Sequence, residues 1–153
     1  MATAYDERLG VPLRWWVQGS MLVASLWLAL IVAVPGVVAW AVTAVALGLL
    51  TLLLRGYGST RIVVGDGTLR VGRARIEAHH LGAVEALDAD AARRAAGVDA
   101  DARAFLLLRP YLSRAVRVEI TDPADPAPYW LVSTRHPDAL AGAVAELTQR
   151  PTV

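Results

Sequence analysis

The sequence predicts a two-helix membrane hairpin followed by a small α+β domain. Three observations carry this. Residues 15–54, between Arg14 and Arg55, hold no formal charge. Near the middle of that run stands Pro35-Gly36, its strongest turn dipeptide. After Ser59 the pattern changes to short apolar runs separated by turn residues, and the chain closes on an amphipathic helical stretch. A hydrocarbon core about 30 Å thick is crossed by roughly twenty helical residues, so about forty make two crossings.

Composition bounds the rest. Of 153 residues, the hairpin leaves about a hundred for a polar part, enough for one small core. The hydrophobic fraction is 56%, and its excess lies in the apolar run. Cysteine is absent, which excludes disulfides and thiolate metal sites. All 15 basic residues are arginine, as in GC-rich coding, so single arginines carry little information. A net charge of +1 gives no case for bulk nucleic-acid binding. The charges are nonetheless segregated. Arg55, Arg61, Arg70, Arg73 and Arg75 stand against Asp66 alone, beside the apolar run. Residues 85–101 are acidic, through Glu85, Asp88, Asp90, Asp99 and Asp101.

In chain order, residues 1–14 form a cytoplasmic N-terminal segment, 15–55 the transmembrane hairpin, and 59–153 a cytoplasmic α+β domain. The spans read 16–34 and 37–54, each just long enough to cross. Arg14, Trp15 and Trp16 mark one interface, Arg55 and Tyr57 the same interface on return, and Trp40 the opposite one. Trp27 falls mid-span and packs against the partner helix or lipid. Gly48, Ala44 and Ala41 are small enough for close helix approach, or are ordinary filler. Arg8 and Arg14 precede the first span, Arg55 and Arg61 follow the second, and the turn is uncharged. The positive-inside bias therefore puts both termini in the cytoplasm of a multi-pass inner-membrane protein. Sinking one Arg to mid-bilayer costs roughly 2.5–3.5 kcal/mol on insertion scales, which pins the ends. A signal peptide is excluded by length, and by Asp6 and Glu7 where a basic start is needed.

The later elements follow from alternation and turn chemistry. Residues 61–64 and 68–71 flank Gly65-Asp66-Gly67 as a β-hairpin. Residues 74–78 and 82–87 continue as strands. Residues 89–96 form a short helix, capped by Asp88 or Asp90 and stopped by Gly97. Residues 105–108 read as a buried strand, and 115–120 alternate strictly. Residues 122–128 hold three prolines and form a loop. Residues 129–134 give the last strand. Pro137 suits a first helical position, and Leu140, Val144 and Leu147 share one face of the closing helix. This order fits an antiparallel β half-barrel with a C-terminal helix, a pleckstrin-homology-like layout.

Particular residues also carry a resemblance. Tyr5-Asp6-Glu7-Arg8-Leu9, Pro12 and Trp15-Trp16 precede the hairpin. Arg109-Pro110-Tyr111, Asp122-Pro123, Pro128-Tyr129-Trp130 and Ser133-Thr134-Arg135 lie near the end. Together they resemble an uncharacterised family of actinobacterial membrane proteins, domain-of-unknown-function family 3093. The resemblance covers nearly the whole chain. It implies two amino-terminal membrane helices and a cytoplasmic domain, and it implies no activity.

Candidate chemistry is sparse. His79-His80, read on a strand, would point to opposite faces and could not easily share a metal. The acids between 88 and 101 lack a calcium-loop frame. Asp122 and Asp125 suit side-chain turns in the proline loop. Ser113, Ser133 and Thr134 have no nucleophile elbow. Gly65-Asp66-Gly67 lacks the length and lysine of a phosphate loop. No catalytic residue, metal or cofactor is expected. Arg61, Arg70 and Arg73 suit anionic headgroups, worth on the order of 1 kcal/mol per Arg near the surface, or enforce topology, or both. Arg109, Tyr111, Arg114, Trp130 and Arg135 mix aromatic and guanidinium groups as interaction surfaces do. Equally, Trp130 covers the sheet and Arg135 pairs with Asp122 or Asp138. The expected function is a non-enzymatic, membrane-anchored binding or scaffold module contacting anionic lipid or a membrane protein partner. The alternative is an enzyme or transport accessory acting on envelope lipids.

Overall fold

The computed structural model describes residues 3–149. The chain forms two compact units, one of Leu9–Thr60 and one of the segments on either side.

The first unit is a helical hairpin. Helix α1 (Leu13–Ala33) and helix α2 (Gly36–Tyr57) are long and apolar enough to cross a membrane. They are joined at Val34-Pro35, where the expected turn lies. The Pro35 carbonyl accepts the Val38 and Ala39 amides at 2.9 and 3.2 Å, so backbone alone caps α2. Against the expected spans, α1 starts three residues earlier and ends one residue short, at Ala33, while α2 takes in Gly36 and Arg55–Tyr57. At the open end Trp15 stacks on Tyr57, centroids 6.3 Å apart and planes within 11°. There the Leu9 amide donates to the Thr60 carbonyl at 2.9 Å. Towards the turn Trp27 packs on Trp40 at 5.3 Å, taking the partner-helix alternative. A Cβ on Gly48 would meet nothing within 4 Å, so Gly48 is filler. The close approach is made by Gly19, where a Cβ would lie 2.8 Å from Leu50 Cδ1. Few side chains are buried on these helices, and Leu22, Leu28, Val32, Val37, Leu49 and Leu52 stay exposed.

The second unit holds two four-stranded sheets. The first runs β1 (Thr3–Arg8), β2 (Arg61–Gly65), β3 (Thr68–Val71) and β4 (Ala74–Glu77), all antiparallel. Strand β1 was not expected: part of the N-terminal segment 1–14 pairs into this sheet. Its partner lies beyond the whole hairpin, with Tyr5 opposite Val64 and Glu7 opposite Ile62. Asp66 (φ 49°) and Gly67 (φ 70°) are both left-handed, the two-residue turn that matches strand twist. Gly72 (φ 61°) opens the second two-residue turn.

A 3-10 turn, Ala78–His80, leads into β5 (Leu81–Leu87). Helix α3 (Ala89–Ala96) follows, capped by the Asp88 carboxylate on the Ala91 amide at 2.8 Å. Then come β6 (Phe105–Leu107), β7 (Ala115–Ile120), β8 (Tyr129–Ser133) and α4 (Pro137–Gln149). The second sheet is ordered β5-β7-β8-β6, and β6 runs parallel to β8. The layout is α+β as expected; the strands lie in two sheets, and the parallel β6–β8 pair departs from the antiparallel expectation.

Alternation builds the core. Ile62, Val64, Leu69, Val71 and Ile76 face inward from the first sheet. Leu140, Ala143, Val144 and Leu147 of α4 are buried, and α4 contacts β1, β2, β5 and β7. On the other face of the second sheet, Leu87, Ala115, Tyr129 and Leu131 cluster with Ala92 of α3. Strand β8 is therefore buried along its whole length. Burial of one large apolar side chain contributes about 1.5–3 kcal/mol.

Candidate functional site

The inward side chains of the first sheet leave an outward set fixed by the two-residue period. It comprises Asp6 and Arg8 on β1, Arg61 and Val63 on β2, Arg70 on β3, and Arg75 and Glu77 on β4. Arg8 lies opposite Arg61, and Arg70 opposite Arg75. Arg61 is ion-paired with Asp6, its Nε 3.3 Å from Oδ1. Among the described residues Arg70, Arg73 and Arg75 reach no carboxylate within 4.0 Å. Arg73 is exposed in the β3–β4 turn. Three of the expected binding residues, Arg61, Arg70 and Arg73, thus belong to one cationic sheet and its turn. Arg75, from the same expected basic segment, completes it. Directly opposed like charges destabilise a sheet, so this face holds a cost that a bound anion would relieve.

A second polar arrangement lies on the inward side. Glu7 is 8% exposed yet sits among core residues. Its Oε2 accepts from the Tyr5 hydroxyl at 2.7 Å and from the Thr134 hydroxyl. Its Oε1 accepts the Arg135 amide at 3.0 Å, with the Arg135 guanidinium 3.8 Å away. The same guanidinium donates to the Arg8 carbonyl at 3.1 Å, and the His136 amide donates to Thr134 Oγ1 at 3.1 Å. Both oxygens of the carboxylate accept hydrogen bonds and a guanidinium stands near, which is what a buried charge needs. Burial pushes the Tyr5 hydroxyl up to about 12; the Thr134 contact opposes this and Glu7 adds to it. Arg135 therefore pairs with Glu7, correcting Asp122 or Asp138 as its partner. The cluster ties β1 to the β8–α4 corner.

The remaining expected residues are dispersed. Trp130 is 4% exposed and packs on Phe105 at 4.9 Å, so it covers the sheet from inside. Arg109, Tyr111 and Arg114 lie in the β6–β7 connection, where the Arg109 amide donates to Ser133 Oγ at 3.1 Å. At the open end of the hairpin, α1 carries Arg14, Trp15 and Trp16 and α2 carries Arg55 and Tyr57; Trp40 lies towards the turn.

His79 and His80 sit on a 3-10 turn, not a strand, and their rings are 3.8 Å apart. The premise that they point oppositely is corrected. His80 Nδ1 lies 3.7 Å from Asp122, and His79 Nδ1 3.3 Å from Glu77. No group of three potential metal ligands occurs among the described residues. Asp122 and Asp125 accept the Ala124 and Ala127 amides at 2.8 and 2.9 Å, the turns expected of them. Asp90 pairs with Arg93 at 3.5 Å. Asp101 accepts the Arg103 guanidinium at 3.2 Å, which holds its carboxyl below the usual range. Sequence reasoning also missed Arg117, whose guanidinium lies 4.2 Å over the Tyr129 ring between Glu85 and Glu119 on an open cleft of about 330 Å³. Alternation of Arg117 with Val116 and Val118 was its only signal.

The residues that carried the resemblance at the two chain ends, Tyr5-Glu7-Arg8 and Thr134-Arg135, meet around one carboxylate. A family model, protein of unknown function (DUF3093), matches residues 4–144. The chain belongs to that family. The match spans residues of both units. No curated protein matches the chain. No solved structure matches it.

Proposed function

We propose that this is a non-enzymatic, membrane-anchored module whose first sheet contacts anionic lipid headgroups on the cytoplasmic side. In this reading α1 and α2 cross the inner membrane and both termini are cytoplasmic. The observation that carries it is the outward face of β2–β4, where Arg70 opposes Arg75 with Arg61 and Arg73 nearby and only Asp6 engaged among them. A sheet does not gain stability from that placement; an anionic surface within a Debye length does. Reach supports it as well. Three residues separate Tyr57 from Arg61, and extended chain advances at most about 3.6 Å per residue, so the linker is short. Two sheets followed by a C-terminal helix support a pleckstrin-homology-like domain, from which the parallel β6–β8 pair departs. The enzymatic alternative draws on Asp122 and Asp125, whose use in loop turns favours the binding role.

Because the chain lacks cysteine, Val63→Cys provides a single thiol on this face. The full-length variant is placed in nanodiscs of phosphatidylcholine alone or with phosphatidylglycerol, and labelled with a water-soluble maleimide. Labelling slows in the anionic discs, and high salt restores the rate. Equal rates in both discs overturn the proposal.

A further inference from the structure

The opposed pair Arg70–Arg75 says more about the ligand than net positive charge does. Side chains directly opposite on an antiparallel pair have Cβ atoms about 4.5–5.5 Å apart. Two guanidinium forks on that footing converge on a space that one tetrahedral oxyanion fills, each fork donating two parallel hydrogen bonds. Both side chains are exposed, and neither has an internal carboxylate within 4.0 Å among the described residues. Arg61, by contrast, is held by Asp6. The β3–β4 turn is a tight two-residue turn with Gly72 at φ 61°, so the strand pair carrying the forks is short and stiff. Arg73 in that turn brings a third guanidinium to the same end.

We propose that Arg70 and Arg75 form a two-fork site for a dianionic phosphomonoester headgroup of a membrane lipid, preferred over the monoanionic phosphodiester of phosphatidylglycerol. This rests on the lipid-contact reading above and sharpens it. A phosphodiester offers two free oxygens and one charge, which a single arginine satisfies. A phosphomonoester offers three free oxygens and up to two charges, enough for both forks. The site commits to lipid because the membrane holds the headgroup at high local concentration beside the sheet.

The test uses the full-length protein in neutral detergent, with phosphatidic acid, phosphatidylglycerol and phosphatidylcholine competing at equal mole fraction, and native mass spectrometry counting retained lipid. Phosphatidic acid is retained over phosphatidylglycerol by about fourfold, the scale of one added exposed ion pair. The ratio falls to parity in Arg70→Gln/Arg75→Gln. It also falls in Arg70→Lys/Arg75→Lys, which keeps the charge and loses the forks. Arg93→Gln/Arg94→Gln on α3 leaves it unchanged. Equal retention of both lipids, each above phosphatidylcholine, overturns the phosphomonoester site and leaves the general lipid contact standing. Retention of neither overturns both. Displacement of phosphatidic acid by equimolar inorganic phosphate overturns the lipid assignment. The glutamine variant removes a repulsion, so its thermal midpoint stays at or above the parent value. A lower midpoint means Arg70 and Arg75 are structural, which also overturns the site.

Discussion

Glu7 and Thr134 stand 127 positions apart in sequence and share a buried hydrogen bond. The chain between them includes the entire helical hairpin, so this contact closes the polar domain around the insertion. A carboxylate on the inward face of a strand is costly unless every oxygen is occupied. Here Tyr5, Thr134 and Arg135 occupy them.

Removing that acceptor strands its donors. Glu7→Gln keeps the shape but turns an amide NH₂ towards Tyr5 and Thr134, and costs about 1.5–3 kcal/mol, the scale of charged hydrogen bonds. Thr134→Val costs about 1 kcal/mol. The double variant is less destabilised than the sum, with a coupling of at least about 0.5 kcal/mol. Thermal unfolding of the full-length protein followed by Trp fluorescence measures all three. Additive effects would mean that the two side chains do not act as one unit.

Tyr5 supplies a pH signature. Folding raises its hydroxyl from 10.0 to about 12, because burial disfavours the phenolate. Its contribution to stability is complete below about pH 10 and is lost as pH climbs towards 12. In a phenolate absorbance titration, one of the four tyrosines ionises late, and that step is missing in Tyr5→Phe. Stability of Tyr5→Phe falls less between pH 10 and 12 than that of the parent. An unchanged late step would assign it to another tyrosine.

At the cationic face, stability and the proposed lipid contact oppose each other. Arg75→Glu turns a cross-strand repulsion into an attraction worth roughly 0.2–1 kcal/mol. The thermal midpoint rises by a few degrees, while protection of Val63→Cys in anionic nanodiscs falls. A variant less stable than the parent would show that the arginine pair is not repulsive.

How far the sequence revealed all this depends on the range of each signal. The Asp66-Gly67 and Gly72 turns are local backbone requirements, and the strands beside them fall where alternation puts them. Asp88 and Gly97 bound α3 for the same reason. Strand β1 was illegible because its inward residues are Tyr5 and Glu7, which read as polar, and its partner lies beyond the hairpin. The parallel β6–β8 pair was hidden likewise, since nothing local sets strand direction. At the candidate site the arginine-rich segment was visible as composition. Which arginines face each other was not, because register decides it. Trp130 was ambiguous until both faces of β8 proved to be covered.

The two close-approach glycines of the hairpin separate a soft contact from a hard one. A Cβ on Gly19 meets the tip of Leu50 at 2.8 Å, and a leucine tip can rotate away. Alanine there also gains helix propensity, so Gly19→Ala stays within about 1 kcal/mol of the parent. A Cβ on Gly58 meets the Val11 backbone nitrogen at 2.9 Å, and backbone cannot yield. Gly58→Ala costs about 1–3 kcal/mol and weakens the Trp15–Tyr57 stack. Comparing thermal midpoints and near-ultraviolet circular dichroism of the two variants decides this, and equal effects would contradict it.

The proposed topology rests on charge and is reversed by charge. Arg8, Arg14, Arg55 and Arg61 flank the helices, while the Val34–Gly36 turn carries none. A reporter active only in the cytoplasm is active when fused to either terminus, and one active only outside is silent at both. Converting Arg8, Arg14, Arg55 and Arg61 to Gln while placing three lysines in the turn moves the positive excess to the other side. The hairpin then inverts or fails to insert, because loop Lys and Arg set orientation. The same change abolishes anionic-lipid protection at Val63→Cys, since the proposed contact needs the domain on the cytoplasmic side. A terminal reporter accessible from outside in the parent chain would remove the anionic surface that the arginine face is proposed to meet.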